Sequence, residues 1–286
     1  MSACLIGALL AAPLSSQAAN APCDNDALDR IPRRPARAPD GHEFTHRVGQ
    51  LSGIARDALV RAELLSGNIP SFLRTLVPVR LQRADKPRAQ VTVCVLPDYL
   101  AIGSDRDFLR VPMGLKTALE VAERFGFELP TPKMVDAIYA EAAVKLSPQP
   151  LPAGDRMRTT AYLVEHDALI ELQRTDLNAP LGLLTAGHKK DLVLTERLWQ
   201  FPGQVAIYGW HRAVDAPIQP LSTVHGARYA DYSHGVRLVS DTAYVDGRPA
   251  RLRELLGDPR MAGVLTRTGS LPSLDAQLHR LIARMQ

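Results

Sequence analysis

No apolar run in this 286-residue chain reaches the roughly 18–20 residues that a membrane-crossing helix needs. A helical membrane span is therefore not expected. Cysteine is scarce: Cys4, Cys23 and Cys94 are the whole set, and no C-x-x-C pair occurs. That spacing excludes a structural zinc cluster built from cysteines. Charge of one sign is also lacking. The formal net charge is +4, and Asp24, Asp26, Asp29 and Asp40 balance Arg30, Arg33, Arg34 and Arg37 in the N-terminal arm. No basic stripe interleaves with aromatics, so nucleic acid is not an expected partner. The chain has no internal repeat and no low-complexity run. It lacks G-x-S-x-G and the EF-hand spacing, the latter including at GSDRDF (103–108), which reads as a polar hairpin tip.

What is present begins at the N-terminus. CLIGALLAAPL (4–14) is a short apolar run, followed by small residues that include an A-x-A pattern at Ala19, Asn20 and Ala21. This predicts a secretory signal peptide over 1–21, although no Lys or Arg precedes the apolar run. The localisation expected is periplasmic or secreted. If Cys4 leaves with the signal, Cys23 and Cys94 remain as one disulfide, or Cys94 stays a buried thiol in VTVCVL.

Residues 22–41, rich in Pro, Asp and Arg, read as a loose arm. Residues 42–286 read as a single catalytic domain, with a possible sub-boundary in the Pro-rich 147–155. Apolar spacing predicts one amphipathic helix over 45–66, then helices at 114–126, from Thr131-Pro132 to about 146, and at 157–173. Strands are expected at 77–82, 90–96, 181–186, 191–195 and 204–209, with a strand, a polar turn and another strand over 98–113 and a loop over 212–224. Another strand is expected over 229–245, turning at Asp246-Gly247, and two helices close the chain. Strands and helices mix without strict alternation. This predicts an α+β fold: a mixed sheet with flanking helices, a helical N-terminal part and a strand-rich C-terminal site region.

The stretch 209–238 concentrates imidazole, phenol and carboxylate. His211, His225 and His234 fall inside it, with Trp210, Tyr229 and Tyr232, and His188 lies just upstream in GHKKD. Read as an extended strand, 225–237 places His225, Tyr229, Asp231, Ser233 and Arg237 on one face. The same parity sets Ser233 and His234 on opposite sides. The catalytic candidates are His225, Asp231, His211, Tyr229, Ser233 and His234. His188, Lys189, Arg237 and Trp210 are the expected substrate contacts. His225, Asp231 and His234 also form a possible zinc set if a bulge corrects their parity.

The run SHGVRL (233–238) resembles the SHGC-[IV]-R signature of L,D-transpeptidase (YkuD-type) catalytic domains, secreted enzymes that cross-link peptidoglycan. Val224, His225 and Gly226 could stand for the upstream His-Gly of that family. The family's nucleophilic cysteine falls at Val236, and the spacing from His225 is shorter than the family's, so the resemblance does not imply transpeptidation. The expectation is a secreted hydrolase acting on a polymeric cell-envelope substrate, with peptidoglycan first. A zinc peptidase or amidase, a polysaccharide lyase or hydrolase with His/Tyr acid–base chemistry, and a non-catalytic glycan-binding module remain the alternatives.

Overall fold

The computed structural model describes residue 23, residues 25–83 and residues 86–285. The expected signal peptide lies outside the described residues. Helices α1 (Gly41–Val48) and α2 (Gly53–Leu65) lead into the hairpin of β1 (Val77–Arg83) and β2 (Lys86–Val95). A second hairpin, β3 (Ala101–Ser104) and β4 (Asp107–Arg110), precedes α3 (Leu115–Phe125), β5 (Phe127–Glu128), α4 (Pro132–Glu141) and β6 (Val144–Lys145). Then come α5 (Thr160–Asp176), β7 (Thr185–Ala186), β8 (Lys190–Leu192), α6 (Arg197–Gln200), β9 (Ile207–Ala213) and β10 (Ala216–Ser222). The chain closes with β11 (His234–Gly235), β12 (Val239–Val245), β13 (Arg248–Arg251), α7 (Leu252–Gly257), α8 (Ala262–Leu265) and α9 (Leu274–Arg284).

Two sheets organise these elements. One runs β1-β2-β12-β13, with β5 added to β12, and is antiparallel throughout. The other runs β10-β9-β8-β11, and its β8–β11 pair is parallel. The fold is α+β with mixed sheets, as the element pattern predicts. Strand β2 lies at the centre of the core: Val91, Val93, Cys94 and Val95 are all buried. Helix α3 turns Leu115, Ala118, Val121, Ala122 and Phe125 into the core, apolar positions recurring every three or four residues. Its C-cap, Gly126, sits at φ 78°, the left-handed conformation a glycine adopts without strain.

Several boundaries differ from the sequence expectations, each for a local reason. The single helix over 45–66 is divided, because Gly53 takes φ 55° and the chain turns between α1 and α2. The apolar pattern continues across that turn because each helix buries one face, Phe44 and Val48 from the first, Val60 and Leu64 from the second. Helix α4 stops at Glu141; Ala142 leaves the helical region and Val144–Lys145 pairs in parallel with Thr185–Ala186. The expected loop over 212–224 is mostly the β9–β10 hairpin. Pro217 and Pro220 are tolerated there because β10 is an edge strand.

The arm is also ordered from Asn25 onward. A 3-10 turn over Asn25–Arg30 buries Leu28, and Ile31 follows it into the core. Cys23 and Cys94 form a disulfide with Cα atoms 5.7 Å apart, which ties this segment to β2. The Pro-rich 147–155 segment is held to the body: Leu151 N–H donates to the Tyr232 hydroxyl, which donates back to Leu151 O.

Candidate functional site

The expected strand over 229–245 is interrupted, and the interruption builds the site. Between β10 and β11 the chain turns at Ala227–Arg228 and again at Tyr232–Ser233. In the second turn Asp231 Oδ1 accepts Ser233 N–H at 2.8 Å and Ser233 Oγ–H at 2.6 Å, while His234 N–H donates to Asp231 O at 3.1 Å. Asp is a residue that closes such turns through its own side chain. The turn overrides strand parity. His234 therefore does not point away from the odd-numbered face; its Nε2 lies 4.0 Å from Asp231 Oδ2.

The same carboxylate accepts the Tyr229 hydroxyl at 3.0 Å. Tyr229 carries His225 stacked on its ring, with centroids 4.0 Å apart and planes at 10°. Its edge faces His234, with centroids 5.7 Å apart. His225 and Tyr229 are half-buried, whereas His234 is 1% exposed. The stacked pair thus roofs the deeper histidine. Lys190, opposite His234 in the β8–β11 register, adds a cation near Asp231.

Electrostatics separate the roles of these groups. Burial would push the Asp231 carboxyl up, but His234, the two Ser233 donors and Lys190 hold it below its ordinary value. Burial pushes the His234 ring down to about 4, against the pull of Asp231, so the imidazole is neutral at pH 7. Tyr229 is pushed up to about 12, by burial and then by Asp231, and keeps its proton. Neither ring nitrogen of His234 has a protein partner. A buried polar group left unpaired is costly, and native proteins keep few of them.

The other predicted residues go elsewhere. His188 is fully buried, with Nε2 at 3.0 Å from Asp98 Oδ1. Lys189 Nζ donates to Tyr232 O at 2.6 Å and stands 3.1 Å from His166 Nδ1; burial pushes it down to about 8. Arg237 is fully buried, donates to Leu96 O and Thr185 O, and lies over the Tyr99 ring at 4.5 Å. These three are interior fastenings rather than surface contacts for a substrate, because backbone carbonyls and buried carboxylates already engage them. Trp210 is buried beneath Lys190, whose Nζ lies 4.8 Å from its ring centre. Its φ of 57° is rare for a bulky side chain and is held by bonds to Lys189 O and His188 O.

His211 belongs to a separate group on the far side of β8. Its Nε2 is 3.1 Å from Asp136 Oδ1, and its ring stacks on Tyr139 at 4.8 Å. Asp136 also accepts the Tyr208 hydroxyl at 2.7 Å and pairs with Arg267. A cavity of about 300 Å³ opens here, lined by Tyr208, Leu194, Pro217, Leu221, Leu271 and Arg267. Strand β8 divides the two groups: Lys190 pairs with His234, and the next residue, Asp191, pairs with Tyr208 and takes the Tyr99 hydroxyl at 2.8 Å.

Sequence reasoning missed Asp98, Arg110, Asp136, His166 and Asp167, which lie outside the histidine-rich stretch. It placed Lys189, and not Lys190, among the expected substrate contacts; in the β8–β11 register Lys190 is the partner of His234. For zinc, His225, Asp231 and His234 share a neighbourhood, but among the described residues no three such donors converge as a metal set. The zinc expectation is therefore not carried further. Gly235 is fixed by space: a Cβ there would lie 2.6 Å from Tyr99 Cδ1 and 2.9 Å from Lys189 Cβ. Gly235→Ala should lower stability by about 1–3 kcal/mol, the usual loss on overpacking, read as a urea midpoint shift. An unchanged midpoint would contradict this packing. Comparison with protein-family models, with curated proteins and with solved structures finds no match.

Proposed function

We propose that this protein is a secreted hydrolase of a cell-envelope polymer, peptidoglycan first, with His234 as general base. The observation that carries the reading is a neutral histidine with two unpartnered ring nitrogens beside an anionic Asp231. In the proposed step His234 takes a proton from the attacking water, and Asp231 stabilises the imidazolium that forms. The Lys190 ammonium balances negative charge developing on the substrate oxygen. Tyr229, still protonated at pH 7, is the acid that delivers a proton to the leaving group. The His225–Tyr229 pair must swing aside to admit the substrate.

Asp231 is the one carboxylate of this cluster among the described residues. Glycoside hydrolysis ordinarily takes two, so an amide link in the polymer is the favoured bond. The Cys23–Cys94 disulfide supports an oxidising compartment. The likeness of 233–238 to peptidoglycan-directed enzymes supports the substrate.

Disulfide-bonded protein lacking residues 1–21 should release soluble peptide-bearing fragments from purified peptidoglycan, read by mass spectrometry. His234→Ala and Asp231→Asn should each lower turnover by about 10²–10⁴-fold with circular dichroism unchanged. Turnover should be level near neutrality and fall as pH drops through about 4, because the protonated ring is no longer a base. Absence of product from the wild type, or full activity in His234→Ala, would sink the proposal.

One observation favours a binding module instead: the 300 Å³ cavity beside Tyr208 and Arg267. Co-sedimentation with peptidoglycan that is lost in Arg267→Ala, kept in His234→Ala and unaccompanied by released product would select that reading.

A further inference from the structure

Helix α1 carries a second histidine pair, remote from His234. His42 and His46 are four residues apart, and so share one helical face. Both are exposed. Their Nε2 atoms stand 3.1 Å apart, with ring planes at 81°. For a metal about 2.05 Å from each nitrogen, that separation subtends an N–M–N angle of about 98°, between the octahedral and tetrahedral values. We propose that His42 and His46 form a bidentate surface site for a divalent transition metal of the imidazole-preferring group: Cu²⁺, Ni²⁺ or Zn²⁺.

The surrounding structure holds the pair in place before any metal arrives. Asp40 caps α1 by accepting Glu43 N–H at 3.0 Å. Asp107 accepts His42 N–H through both carboxylate oxygens, at 3.2 and 3.0 Å. Gly41 lies so close to β4 that a Cβ there would stand 2.5 Å from the Phe108 carbonyl carbon. The first turn of α1 is thereby locked to the β3–β4 hairpin, and ligands held rigidly lose little freedom on binding. The carboxylates of Asp40 and Asp107 lie close to His42. Arg47, the nearby cation on the same helix, is engaged by Glu43 and Glu63. No third donor of the His, Cys, Asp or Glu type converges among the described residues, so the remaining positions on the metal belong to water or an incoming ligand. In the metal-free protein the 3.1 Å contact is a hydrogen bond from one ring N–H to the other ring nitrogen.

Titration calorimetry on tag-free, disulfide-bonded protein tests the site with CuCl₂, NiCl₂ and ZnCl₂, and with MgCl₂ as control. One saturable equivalent of transition metal and none of Mg²⁺ is expected, and the Cu²⁺ complex should show coupling to two nitrogens by electron paramagnetic resonance. His42→Ala and His46→Gln should each weaken binding by at least about 10-fold, while His279→Ala, another exposed histidine, should leave it unchanged. These positions are exposed, so circular dichroism should match the wild type. No saturable binding, or equal affinity after both histidines are replaced, overturns the assignment.

Discussion

Replacing Arg110 by methionine should destabilise the protein by about 3–5 kcal/mol or more, the range measured when one partner of a buried ion pair is removed. Arg110 is 1% exposed. Its Nε and Nη2 donate to Asp98 Oδ2 at 3.1 and 2.8 Å, and its Nη1 reaches Asp167 Oδ1 at 3.0 Å. Nη1 also pairs with Glu171 at 2.9 Å. Burial by itself raises the Asp98 carboxyl; Arg110 and then His188 reverse this and hold it far below its ordinary value. Burial keeps Asp167 raised even with the guanidinium present. Methionine fills similar space but leaves two buried carboxyls without their cation.

The carboxyls can then remain in the interior only by taking up protons. Their folded pKa values move above the unfolded ones, so the variant's stability is present at low pH and lost as pH rises. Urea unfolding at pH 5 and pH 8 should therefore show a larger deficit at pH 8. Arg110→Lys, which keeps the charge but not the planar fork, should fall between wild type and methionine. A loss under about 1 kcal/mol at pH 8 would mean that the network does not depend on Arg110. None of this makes the network a better stabiliser than an apolar core of equal volume, since desolvation offsets much of the attraction.

Opening the disulfide is the second large effect. Cys23 and Cys94 are 71 residues apart, and in the chain-entropy account a closed loop of that size contributes about 4 kcal/mol. Cys23→Ser is the cleaner change, because Cys94 is buried in β2 and serine there would also strand a hydroxyl. The urea midpoint of Cys23→Ser should match that of reduced wild type, and both should lie well below the oxidised protein. Release of the strap also frees Leu28 and Ile31, so trypsin should cut faster after Arg30 and Arg33. Equal midpoints with and without the bond would remove it from the stability account.

The α+β class was legible from mixed periodicities, and helix α3 from its apolar spacing and Gly126. Thr131-Pro132 marked the start of α4 through cap chemistry alone, and the structure has Thr131 accepting Met134 N–H. The site was legible as a cluster, since His225, Tyr229, Asp231, Ser233 and His234 do gather. Its geometry was not. Alternation assumes a continuous strand, and a single aspartate taking two Ser233 donors is enough to end one. The buried partners were least legible, because Asp98, Arg110 and Asp167 come from a loop, a strand and a helix that only tertiary packing brings together.

Gly235, a letter shared with the transpeptidase-like signature, and its near neighbour Arg237 carry a lesson about recognition itself. The first is glycine because Tyr99 leaves no room for a Cβ, and the second rivets the carbonyls of Leu96 and Thr185. Both residues answer to architecture here before they answer to reactivity. A pattern search keyed on Ser-His-Gly would retrieve chains that share this joint in the backbone whether or not they share an activity. Discrimination among such chains must come from the less memorable positions, such as the turn-forming Asp231 and the lysine across from His234.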